Sequence, residues 1–295
     1  MDQINGIILV DKPKDWTSQD VLSKLKRYFH VDKIGHAGTL DPLATGLLVV
    51  LLGPSTKLSD YLLSDEKEYE CEILIGKSTD TEDITGTILE EKYVNEHFDN
   101  IDEILNSLVG TLEQEPPMYS SVRYNGRKLY EWARDGVVVE RNKRIIEVRE
   151  IIRTTELTYD DNCCKFKFRT SVSKGTYIRT LCVEIGKRLG YPALMSDLKR
   201  VKSGKFNISE SKKLDEILKG NYEILSNIKA IEEKKNIYFL NEYLYNRVLH
   251  GMKIRINVDY EYVYLVYNNE LIGIYEKDQS YSEDNKSYKA KRVWN

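Results

Sequence analysis

At 295 residues, 41% hydrophobic and 31% charged, the chain has the composition of a globular protein with room for one large domain and a small one. The first apolar run, Ile7 to Val10, is too short and too acidic in its flanks for a signal peptide. The longest run, Leu47 to Leu52, falls far below a bilayer span, so a cytoplasmic protein with no membrane partner is expected. A net charge of −3 excludes a uniformly basic nucleic-acid binder. Arg123 to Arg153 nevertheless carries nine basic residues against five acidic ones, which permits one basic face.

The four cysteines, Cys71, Cys163, Cys164 and Cys182, contain no Cys-x-x-Cys pair and read as reduced packing residues. The four histidines show no metal-ligand spacing, so no metal is expected.

In chain order, Ile7 to Val10 predicts a short buried strand. Thr17 and Asp20 form a capping pair for a helix whose apolar positions Val21, Leu22, Leu25, Tyr28 and Phe29 follow a helical period. A glycine-rich loop runs from Gly35 to Pro42, and Gly46 leads into the apolar strand Leu47 to Leu52. Lys67 to Ile75 alternates, with Tyr69, Cys71, Ile73 and Ile75 on the buried face. Cys164 to Val172 alternates as well. The turn Ser173 to Thr176 then feeds a helix with the stripe Ile178, Leu181, Cys182, Ile185 and Leu189, closed by Gly190.

Past about Lys234 tyrosine becomes frequent and short strands are predicted at Met252 to Val258, Tyr262 to Tyr267 and Leu271 to Tyr275. Asn268-Asn269-Glu270 reads as the loop of a hairpin. The pattern predicts an α+β fold on a mixed, largely antiparallel sheet with flanking helices, plus a small, mainly β C-terminal domain. The expected division is 1–235 and 236–295.

Three stretches bear on chemistry. Gly35 to Gly46 holds three glycines and Asp41, and glycines so placed serve positive φ angles or close approach. Asp41 precedes a proline, and its local pattern alone favours a turn aspartate. Val10-Asp11-Lys12-Pro13 ends a strand in a charged turn. Ser173 to Arg179 is a strand-turn-helix junction, where Arg179 taken alone is an ordinary helix residue.

Together these stretches resemble the TruB family of tRNA pseudouridine synthases, over almost the whole chain and in order. Asn5 to Pro13 resembles the opening lysine-proline motif, Gly35 to Gly46 the central aspartate motif, and Lys67-Glu68-Tyr69 the strand with the family's tyrosine. Gly76 to Asp83 resembles a further family motif. Pro116 to Arg123 and Gly126 to Arg134 resemble an RNA-gripping insertion, expected near 115–145. Ser173 to Leu181 resembles the motif with the family's arginine; Val172-Ser173 departs slightly, where many members have a cysteine before the serine.

The resemblance implies a pseudouridine-synthase-like fold with a PUA-like C-terminal RNA-binding domain. It implies a cofactor-free isomerase that flips uridine 55 out of the T-loop of tRNA, breaks its N1–C1′ bond and rejoins the base through C5. Asp41 would be the catalytic carboxylate, Arg179 its ionic partner, and Tyr69 the residue that stacks on the base and aids the late proton transfer. Tyr177 and Leu198 would line the uridine pocket and His36 would enter the T-loop. Arg123, Arg127, Lys128 and Arg134 would meet phosphates. The implied partner is the tRNA T-arm, met by a monomer without guide RNA.

The guide-RNA-dependent branch of the superfamily is a rival reading, but it would lack the gripping insertion. A non-catalytic RNA-binding protein would not need Asp41, Tyr69 and Arg179 together. A carboxylate hydrolase would need a second acid/base carboxylate, and no local pairing supplies one.

Overall fold

The computed structural model describes residues 4–63, 66–278 and 286–294. The main strands are β1 (Gly6–Lys12), β2 (Ile34–His36), β3 (Thr45–Leu52), β4 (Lys67–Ile75), β5 (Gly110–Gln114), β6 (Arg144–Arg153), β7 (Cys163–Val172), β8 (Ala193–Ser203) and β9 (Lys212–Lys213). They lie in the order β9-β1-β3-β8-β4-β7-β6-β5, with β2 beside β3. Pairing is antiparallel except between β1 and β9 and between β3 and β8.

Alternation along the strands separates two cores. Ile8, Val10, Leu48, Val50, Tyr69, Cys71 and Ile73 face helices α1 (Ser18–Phe29) and α3 (Ile178–Leu189). Ile7, Leu9, Leu47, Val49 and Leu51 face the other way. Thr17 caps α1 in a complete capping box with Asp20, as its sequence predicts. Gly190 closes α3 at φ 79°, in the left-handed conformation that glycine adopts without a Cβ penalty.

A second sheet follows, in the order β10-β12-β13-β14-β11: β10 (Ile237–Phe239), β11 (Ile254–Arg255), β12 (Tyr262–Tyr267), β13 (Glu270–Lys277) and β14 (Ser287–Val293). Its Tyr264, Val266, Leu271 and Ile274 pack on the outer face of β1 and β3, so the two sheets share a core. The strand expected from Met252 to Val258 is reduced to β11, because only Ile254 and Arg255 pair with β14. The expected three-residue loop is a two-residue turn. Asn268 and Asn269 both take positive φ, and Glu270 already pairs with Tyr267.

Between β5 and β6 the chain leaves the sheet. Arg123-Tyr124 pairs with Arg127-Lys128 around a turn at Asn125-Gly126, and the short helix α2 (Leu129–Arg134) follows. Leu129 is buried and anchors this projection.

Candidate active site

The loop after β2 is held from three sides. Ser18 Oγ accepts from Leu40 N at 2.9 Å and lies 3.1 Å from Leu40 O. Lys12 Nζ donates to the carbonyls of Pro13, Trp16 and Pro42, at 2.9, 2.6 and 3.3 Å. From β8, the buried Arg200 donates to Leu47 O at 2.8 Å and to Gly38 O at 2.9 Å. These bonds converge on the segment that carries Asp41.

The glycines of this loop are needed for that fit. Gly46 has φ +96°, and a Cβ there would stand 2.4 Å from Arg200 O. The loop is shorter than its sequence implies, since Gly35 and His36 belong to β2 and pair with Leu51 and Val50 of β3.

Arg179 enters from the first turn of α3. Gln114, at the end of β5, fixes that turn: its Oε1 accepts from Tyr177 N at 2.7 Å and its Nε2 donates to Tyr177 O at 3.0 Å. The Arg179 guanidinium donates to Thr81 O and Tyr119 O, both at 2.9 Å. Its Nη2 lies 3.0 Å from Asp41 Oδ2 and its Nη1 lies 3.9 Å from Asp83 Oδ2. The arginine side chain is 4% exposed, whereas that of Asp41 is 39% exposed. A fixed, desolvated cation thus faces a carboxylate that remains open to a ligand.

Asp83 is a partner that the sequence reading missed as a site residue, although it closes the quoted Gly76–Asp83 stretch. Its Oδ1 accepts from Thr81 Oγ1 at 2.8 Å, Thr85 N at 2.9 Å and Thr85 Oγ1 at 2.5 Å. Glu82 beside it sits at φ 63° and binds Thr180 Oγ1 at 2.6 Å; burial pushes its carboxyl up from the ordinary value.

Asp41, Tyr69, Tyr177, Arg179, Leu198 and Arg200 line one cavity of about 590 Å³. Tyr69 and Leu198 are buried, on β4 and β8. Burial raises the Tyr177 phenol above its usual pKa. Arg134 of the projection also reaches the cavity and lies 5.2 Å from the Tyr130 ring.

The other expected contacts lie outside the cavity lining. His36 is half-buried on β2, its Nδ1 has no hydrogen-bond partner, and burial followed by the charge of Arg200 lowers its pKa. Arg123 donates to Gly126 O at 2.8 Å. Arg127 is engaged by Asp135, Glu131 O and the Trp132 ring. Lys128 Nζ lies 3.4 Å from Tyr130 Oη.

All four cysteines are free and buried, as their spacing predicts. Among the described residues, no three His, Cys, Asp or Glu side chains are grouped as a metal site requires. No helix there is long and apolar enough to cross a membrane.

The site sits on a mixed, largely antiparallel sheet with flanking helices. Solved structures of a Cbf5-Nop10-Gar1 complex and of an H/ACA RNP bound to a substrate RNA share this fold, with TM-scores of 0.73 and 0.72. Both are 22% identical and cover 98% of this chain, against 84% and 85% of their own, a likeness of fold alone.

Sequence relatives narrow the class. Residues 26–178 match the N-terminal domain of the TruB family pseudouridylate synthases, and residues 179–243 match the tRNA pseudouridylate synthase B C-terminal domain. The tRNA pseudouridine synthase B of Bacillus subtilis (strain 168) is 47% identical over 216 residues, 72% of this chain and 70% of that one. Its counterpart from Staphylococcus aureus (strain MSSA476) is 49% identical over 216 residues, 72% and 71% of the two chains. This chain belongs to the TruB family, and it is an isomerase that forms pseudouridine.

Proposed function

We propose that the chain converts uridine 55 in the T-loop of tRNA to pseudouridine, without guide RNA or cofactor. The observation that carries this reading is the Arg179–Asp41 pair at 3.0 Å, on the wall of a cavity that Tyr69 also lines. The cavity is of a size that holds a single nucleoside. A uridine inside tRNA must leave its stack to reach such a site.

In the proposed reaction the N1–C1′ bond breaks, the base turns, and C5 bonds to C1′. The C5 proton is lost and N1 gains one, so no group leaves and no electron is transferred. Asp41 supplies the carboxylate that attacks the sugar or the base, and Arg179, 3.0 Å away, holds it aimed. Tyr69 stacks on the base and serves the late proton transfer. Tyr177 and Leu198 hold the uridine, and His36 enters the T-loop. Arg123, Arg127, Lys128 and Arg134, on the projection near 115–145, grip phosphates. Residues 236–295 act as a PUA-like RNA-binding domain beside the 1–235 catalytic domain.

A tRNA transcript tritiated at uridine C5 tests this reading, because pseudouridine formation releases that tritium to water. The wild type is expected to release it with no added RNA, and a transcript with cytidine at position 55 is expected to release none from that site. Asp41→Asn is expected to lose at least about 10²-fold in rate. Near-normal turnover of Asp41→Asn overturns the assignment of Asp41. Binding without release by the wild type favours a non-catalytic RNA-binding role.

A further inference from the structure

Three cationic residues stand on the segments where the second sheet docks on the first. Lys57 lies on the 3-10 turn after β3. Its Nζ donates to Val293 O of β14 at 2.5 Å and stands 5.7 Å from the Trp294 ring centroid. Arg292 precedes that carbonyl, and its guanidinium donates to the neighbouring Lys291 O at 3.0 Å. Lys33 precedes β2, and its own carbonyl accepts from Gly53 N at 2.9 Å. A Cβ on Gly35 would stand 3.5 Å from Thr56 Cγ2, so the start of β2 lies against the turn that carries Lys57.

These charges act on one another. The Lys57 ammonium is held below its usual pKa by burial and then by the charges of Lys33 and Arg292. Other lysines on β14 are neutralised, since Lys289 and Lys291 lie 3.6 and 2.8 Å from Glu276 carboxylate oxygens. Among the described residues, no carboxylate forms an ion pair with Lys33, Lys57 or Arg292. Like charges held near one another repel, and an anion placed among them relieves that repulsion.

We infer that Lys33, Lys57 and Arg292 form a phosphate-binding site for the RNA backbone, shared between the two sheets. The site rests on the RNA reading proposed above. Its position suits that partner. His36 lies three residues along β2 from Lys33, roughly 10 Å at strand spacing. Gly38, two residues beyond His36, lines the cavity. β2 therefore runs from the cation cluster to the edge of the cavity. Backbone phosphates next to a nucleotide held there come within reach of the seam.

The test measures affinity for an unmodified tRNA transcript over a salt series. The variant Lys33→Gln with Arg292→Gln removes two cations and leaves Lys57, whose bond to Val293 joins the sheets. Its log-affinity slope against log salt is expected to be shallower by about 1.8, at ~0.9 per lost phosphate contact. Near 50 mM salt, binding should weaken by about tenfold, and the loss should shrink as salt rises.

Turnover at saturating transcript should stay at the wild-type rate, which also reports an intact fold. A control with the same charge change, Lys219→Gln with Lys229→Gln, alters lysines already beside Asp215 and Glu232 and should match the wild type. The inference is overturned if the double variant keeps the wild-type slope and affinity, or if the control loses as much. A wild type that neither binds nor converts tRNA overturns the RNA reading, and the phosphate site with it.

Discussion

Arg179 stands between two unequal aspartates: Asp41 Oδ2 at 3.0 Å and Asp83 Oδ2 at 3.9 Å. Asp83 is 8% exposed and its Oδ1 is saturated by threonine donors, whereas Asp41 is 39% exposed and faces the cavity. The inner carboxylate backs the arginine, and the outer one stays open to a ligand.

Asp83→Asn keeps the shape and removes the inner charge. Loss of the buried negative charge 3.9 Å from Arg179 is expected to lower kcat by about tenfold, a change of ~1.4 kcal/mol in the barrier. Affinity for tRNA should stay within about twofold. Single-turnover tritium release and a separate binding titration distinguish the two quantities.

Arg179→Lys retains a positive charge and loses the planar fork that reaches Thr81 O, Tyr119 O and Asp41 together. Turnover should fall at least about 10²-fold with the thermal midpoint little changed. Arg179→Ala leaves Asp83 without its buried cation and is expected to cost about 3–5 kcal/mol of stability as well. If Arg179→Lys turns over normally, a charge alone is enough and the fork is dispensable.

Gly46→Ala tests how tightly the aspartate loop is seated. The new Cβ would stand 2.4 Å from Arg200 O, in a backbone conformation at φ +96° that L side chains rarely adopt. Strain of about 1–3 kcal/mol, plus the clash, should lower the denaturant midpoint. Gly190→Ala, where nothing lies within 4 Å of the Cβ, carries only the left-handed penalty and should be milder.

Lys12 supplies a pH signature. Burial lowers its pKa from 10.5 to about 8, against the opposing pull of Asp41. Below about pH 8 both native and unfolded chains hold the proton. Between about 8 and 10.5 the unfolded chain holds it and the native chain has released it. Unfolding then takes up a proton, so this group makes stability rise with pH across that window. Denaturant midpoints for the wild type and Lys12→Met at pH 7 and pH 9 should show the wild type gaining relative to the variant at the higher pH.

Much of the fold could be read from local pattern. The alternation of Lys67 to Ile75 placed Tyr69 on the buried face, and Thr17 with Asp20 marked the start of α1. Arg200 and Asp83 were not recognised as site residues. Arg200 stands in a basic stretch with Lys199 and Lys202. It is buried because β8 pairs with β3 in parallel at Lys199–Thr45 and Arg200–Gly46, which brings it under the aspartate loop. Asp83 closes the Gly76–Asp83 stretch, and its cation lies 96 residues further along the chain.

By itself, the sequence determined strand and helix identity, the capping of α1, the need for glycine around Asp41, and the order of motifs that marks the family. Those features depend on neighbours a few residues apart, where backbone geometry and side-chain periodicity act directly. Only the tertiary structure decided that Asp41, Tyr69, Arg179 and Leu198 share one cavity, that Asp83 backs the arginine, and that Lys33, Lys57 and Arg292 stand at a seam. Such contacts join strands distant in sequence, and it is sheet order and register, set by packing of both faces, that bring them together.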